Sequence, residues 1–90
     1  MTIGEIDRIF GRVYKGKPNF MTPTILEYFA INNDKLLVEL SSGKGIFSDK
    51  IYGVTVLEKT EEGYSASELT IGGFYSLEEA KNYITSLSKE

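Results

Sequence analysis

Cysteine and histidine are both absent from this 90-residue chain. Without cysteine there is no disulfide framework, no thiol nucleophile and no thiolate metal site. Without histidine, the usual general base and the commonest nitrogen ligand for zinc are gone as well. Catalysis would have to be built from carboxylates, lysine, serine or tyrosine. The possible carboxylate pairs are Glu5 with Asp7, Glu61 with Glu62, and Glu78 with Glu79. Each pair falls at an expected helix start or turn tip, and none has a spacing that places two carboxylates on one pocket wall. The chain therefore reads as a non-enzyme, with no cofactor and no metal site expected. No apolar run approaches the roughly 20 residues of a spanning helix, so no membrane partner is expected. Met1-Thr2-Ile3-Gly4-Glu5 also lacks the basic start and apolar core of a signal peptide. A cysteine-free chain fits a reducing cytoplasm.

Ninety residues correspond to one domain, 1–90. A chain of this size buries roughly two-thirds of its unfolded surface, enough for a single core with little surplus. The net charge of −3 favours solubility and argues against a nucleic-acid partner. It is spread unevenly. Arg8, Arg12, Lys15 and Lys17 oppose only Glu5 and Asp7 near the start, a local balance of +2, whereas residues 58–90 carry seven acids against three lysines, a balance of −4.

The densest β-favouring stretch is Ile51-Tyr52-Gly53-Val54-Thr55-Val56-Leu57. Tyr52, Val54 and Val56 point to one side of a strand here; Ile51, Thr55 and Leu57 point to the other. Apolar residues on both faces call for a strand covered on both sides or paired on both edges. Upstream, Thr24 to Ile31 also reads as a strand, because β-branched and aromatic residues dominate it. A helix capped by Thr22 with Pro23 in its first turn is the alternative. Asn32-Asn33-Asp34 supplies hairpin chemistry, since Asn and Asp tolerate the left-handed backbone of tight turns. Leu36, Val38 and Leu40 then alternate with Leu37, Glu39 and Ser41, as in a strand with one buried face. Ser41 opens a loop that runs to about Lys50. Thr60-Glu61-Glu62-Gly63 is a second hairpin signal, followed by a returning strand over Tyr64–Leu69 that Ile71 extends before Gly72-Gly73 break it.

Two helices complete the reading. Thr2 stands three residues before Glu5, the spacing of a capping box, with Ile3, Ile6 and Ile9 or Phe10 on one face of a short helix that Gly11 ends. Ser76 stands three residues before Glu79, and Tyr75 and Ala80 occupy the positions of a hydrophobic staple. Leu77, Ala80, Ile84 and Leu87 recur at helical spacing, which predicts a helix from Leu77 to Leu87. It would be about 16 Å long at 1.5 Å per residue. The expected fold is α+β: an antiparallel meander of about four strands packed on this C-terminal helix, with a short N-terminal helix.

Ser42-Gly43-Lys44-Gly45 superficially invites a phosphate-binding loop. That motif needs four residues between its glycines, and Gly-Lys-Ser/Thr leading into a helix; here a glycine follows the lysine and a strand comes next. A turn is the better reading. Six tyrosines and five phenylalanines are many for this length, and aromatics serve both small cores and interfaces. Tyr14, Phe20, Phe47 and Tyr64 are the hardest to place inside, because they fall in loops or on an edge; they are the candidate interaction residues. The leading expectation is an interaction module binding a protein partner or itself. The alternative is nucleic-acid binding through Arg8, Arg12, Lys15 and Lys17, whose cations would contact phosphates.

Overall fold

Two neighbouring strands carry apolar side chains on both faces, and that requirement shapes the molecule. A computed structural model of the chain describes residues 1–14, 24–46 and 49–88. Its elements run α1 (Ile3–Val13), β1 (Thr24–Ile31), β2 (Leu36–Gly43), β3 (Ile51–Thr60), β4 (Gly63–Ala66), β5 (Ile71–Phe74) and α2 (Leu77–Leu87). The sheet is antiparallel throughout and ordered β1-β2-β3-β4, with β5 also paired to β3. The architecture is the α+β meander that the residue pattern predicts, with a fifth strand and both helices formed.

β2 and β3 are the central lanes. Val38 pairs with Val56 and Leu40 with Val54 on one face, where Ala80, Ile84 and Leu87 of α2 cover them. Leu37 pairs with Leu57 on the other face, beneath Ile6 and Phe10 of α1. The sheet is thus sandwiched between helices, which is why the β3 sequence is apolar on alternate and intervening positions alike. β2 corrects the expectation of one buried face: Leu37 is as fully buried as Val38. It also runs further than expected. Ser41 and Ser42 are buried strand residues, not the start of a loop, because ladders on both sides hold them: Ile25 and Gly53 flank Ser41, and Thr24 and Tyr52 flank Ser42.

The β1–β2 connection uses three consecutive left-handed residues, Asn32, Asn33 and Asp34, with φ of 54°, 56° and 64°. This is the role that their short polar side chains suggest. Asn32 also donates from Nδ2 to the Leu87 carbonyl at 3.0 Å, tying the turn to the end of α2.

α1 has a complete capping box. Glu5 donates its backbone N–H to Thr2 Oγ1 at 3.2 Å, and Glu5 Oε1 accepts from the Thr2 backbone N–H at 2.9 Å. The Thr2 backbone bond, followed by its hydroxyl, holds the Glu5 carboxyl below its usual range. The helix does not stop at Gly11 but continues through Val13, with the Tyr14 N–H bonded to the Phe10 carbonyl at 3.0 Å. Val13 and Tyr14 pack against the α1-side cluster, and that tertiary contact outweighs the propensity of glycine to end a helix. α2 spans the expected residues, and Ser76 Oγ accepts from the Glu79 N–H at 3.1 Å. Tyr75 is 68 % exposed and forms no staple.

The outer lane beyond β3 departs from the expected single strand. β4 pairs with Leu57–Thr60 and β5 with Tyr52–Val54, both antiparallel, so the chain follows one margin of β3 in two short pieces. Between them Ser67–Thr70 makes a turn: Ser67 Oγ accepts from the Leu69 N–H at 3.0 Å, and the Ser67 carbonyl accepts from the Thr70 N–H at 3.3 Å. Gly72-Gly73 do not break β5; Gly73, at φ 88°, lets the strand shift register and continue to Phe74.

Candidate functional site

Two of the four candidate interaction aromatics lie within the described residues, and both are built into the α1-side cluster. The Tyr14 ring stacks on Phe10 with centroids 6.3 Å apart. Tyr64 donates its hydroxyl to the Asp34 carbonyl at 2.6 Å, joining β4 to the β1–β2 turn. Burial pushes both phenols up from their ordinary range. Phe20 and Phe47 lie outside the described residues, as do Lys15 and Lys17. Arg8 and Arg12 are exposed and line a shallow concavity on α1 together with Glu5 and Ile9. Arg12 also borders the open groove between α1 and β4, where Glu62 lies. An acid therefore accompanies the cations in each concavity.

The titratable groups that do converge are tyrosines and acids beneath α1. Tyr28 of β1 donates to Asp7 Oδ1 at 2.7 Å, tying α1 to the sheet. Burial first, then acceptance by Asp7 and the neighbouring Glu39, raises the Tyr28 phenol well above its ordinary value. A phenol serving as a nucleophile or base needs the opposite shift. These hydroxyls hold their protons more tightly than free tyrosine, and those of Tyr28 and Tyr64 donate hydrogen bonds that join separate elements.

The remaining feature is the margin of β1. Seven of its eight residues, all but Leu26, pair with β2 on one side, and among the described residues no strand pairs on the other. Ile25 and Leu26 are 47 % and 44 % exposed, beside a register irregularity between Ile25 and Glu27. On the α2 side of this margin, Glu27 and Phe29 of β1 form a small groove with Lys81, Ile84 and Thr85 of α2. The opposite margin is different in kind: β4 and β5 are four residues each, separated by the Ser67–Thr70 turn and bent at Gly73. Both margins carry a register irregularity, so length separates them: short, interrupted edges resist pairing, whereas a longer apolar edge is a template for it. Sequence reasoning found β1 as a strand but not as an edge. The available signal was a single charge, Glu27, in eight residues.

Compared with family models, with curated proteins and with solved structures, the chain matches none.

Proposed function

We propose that this chain is a non-enzymatic protein-interaction module that takes an extended segment, from a protein partner or from its own copy, along the open side of β1. The observation that carries this reading is the contrast between the two margins of the sheet. One is an eight-residue strand with Ile25 and Leu26 exposed; the other is cut into short pieces. Both faces of the central strands are already covered by helices, so among the described residues the margin is where main-chain hydrogen bonds can still be made. Strand addition would use those groups for affinity and the alternate side chains for selectivity. The raised phenols and the lack of histidine and cysteine support a role other than catalysis. No helix among the described residues is long and apolar enough to cross a membrane, and a cysteine-free chain of this composition suits the cytoplasm.

The test is a photoreactive amino acid placed at position 26 or, as control, at position 61 in the β3–β4 turn, with irradiation in the native cell. Discrete protein adducts at position 26 that are missing at position 61 are expected. Equal labelling at both positions would overturn the reading. So would binding of RNA or DNA that weakens steeply with salt and is lost in an Arg8→Ala/Arg12→Ala variant, because that dependence is the mark of phosphate contacts.

A further inference from the structure

We infer that the segment fitting this margin is β1 of a second copy, laid antiparallel about a two-fold axis normal to the sheet, with Glu27 of each chain facing the partner subunit's Lys81. The inference rests on the interaction reading above and names its partner. Three observations lead to it.

The first is self-compatibility of the strand. A two-fold interface presents one patch to itself, so any charge near its centre meets its own copy. The only charge in β1 is Glu27. Pairing centred on Tyr28 or Phe29 sets Glu27 opposite Phe29 or Ile31 of the other chain, never opposite another Glu27. Beyond the irregularity at Leu26, Glu27, Phe29 and Ile31 share the α2 side of the sheet, opposite Leu40, Val38 and Leu36. An axis normal to the sheet keeps that side continuous across the junction.

The second is charge complementarity of the groove with itself. Glu27 and Lys81 line the same groove, together with Phe29, Ile84 and Thr85. Among the described residues neither is held in a salt bridge. A surface bearing one acid and one base complements its own two-fold image, and antiparallel juxtaposition makes two equivalent opposite-charge pairs.

The third is geometric. Beyond the irregularity at Leu26, the five residues Glu27 to Ile31 pair in unbroken register, and at about 3.4 Å each they give an edge of roughly 17 Å. The opposite margin, broken at Ser67–Thr70, offers no edge of that length for a head-to-tail chain of copies. Association therefore closes as a pair and does not propagate into a filament.

Sedimentation equilibrium of the intact chain tests this, over about 10 µM to about 1 mM, the range in which weak interfaces associate. The wild-type chain should pass from monomer to dimer and no further. Glu27→Lys alone and Lys81→Glu alone each place like charges at both contacts and should weaken the dimer by about tenfold. An equimolar mixture of those two variants should recover dimer as a mixed pair, because every contact is then of opposite sign. Misfolding cannot produce that recovery. A wild-type chain that stays monomeric overturns the inference. So does a dimer indifferent to both charge variants, or one that survives Leu26→Lys, since each places the contact elsewhere. If the chain is monomeric yet position 26 still cross-links to a different protein, the inference fails and the interaction reading stands. If position 26 also labels nothing, both fail.

Discussion

At the scale of single residues, side chains repair gaps that the backbone leaves. Between β4 and β5 the ladder has no strand opposite Val56. Thr70 fills the gap with its hydroxyl, accepting from the Val56 N–H at 2.9 Å and lying 3.3 Å from the Val56 carbonyl, which also accepts from the Ser67 N–H at 3.0 Å. Thr70→Val keeps the shape of the side chain but leaves a central-strand N–H without its partner. Loss of about 1–3 kcal/mol is expected, read as a lower denaturant midpoint with unchanged slope. The tyrosines make a second residue-scale prediction. Tyr14, Tyr28 and Tyr64 are all raised in the folded protein, by burial first and then by acidic neighbours: Glu39 for Tyr14, Asp7 and Glu39 for Tyr28, and Asp34 for Tyr64. The folded state then binds these protons more tightly than the unfolded chain. Their contribution is intact below the ordinary phenol value of about 10 and is lost as pH rises above it. The urea midpoint should hold steady up to about pH 9 and then fall. Tyr28→Phe should cost about 1 kcal/mol near neutrality, by removing the bond to Asp7, yet lose less than wild type on moving to alkaline pH. A steeper alkaline loss in Tyr28→Phe would contradict the assignment.

At the scale of elements, capping chemistry and apolar spacing set where helices start, while packing sets where they end. Thr2 and Ser76 mark both N-termini directly in the sequence, since each accepts the N–H three residues on. The end of α1 was not legible from Gly11, because the contacts of Val13 and Tyr14 with residues far along the chain hold the helix together past it. Gly11 is exposed, and an added Cβ would have no atom within 4 Å. Gly11→Ala should therefore stabilise the protein by about 0.5–1 kcal/mol, measured by denaturant unfolding. A destabilised variant would show that the backbone at Gly11 is not regular helix. The outer lane illustrates a different limit. Tyr64–Leu69 and Ile71 read as one weak strand, but the Ser67 hydroxyl bends the chain at Leu69, and Gly73 returns it to β3. Serine turns carry a faint sequence signal because serine is acceptable in strands and loops alike.

At the scale of the whole molecule, the two faces of one sheet are two cores. Leu37 and Leu57 serve the α1 side; Val38, Leu40, Val54 and Val56 serve the α2 side. A chain of this size has a total stability of only about 5–13 kcal/mol. Leu37→Ala, at a fully buried site, should remove about 2–5 kcal/mol of it. Ile25→Ala, on the open margin, should change monomer stability by no more than about 0.5 kcal/mol. Thermal unfolding of the two variants side by side checks the contrast. Equal losses would mean that Ile25 is covered and the margin is not open.

The sequence by itself determined the α+β class, the identity of β1, β2 and β3, the Asn32–Asp34 turn, and both helix starts. These depend on period, capping and turn chemistry within a few residues, and such short-range preferences are written where they act. Only the tertiary structure decided that both faces of β2 are buried, that Tyr14 and Tyr64 belong to a core, and that β1, among the described residues, pairs on one side alone. Which strand lies at an edge, and which aromatic finds a neighbour, depends on residues tens of positions away. The local pattern of a strand is much the same whether one or both of its sides are paired.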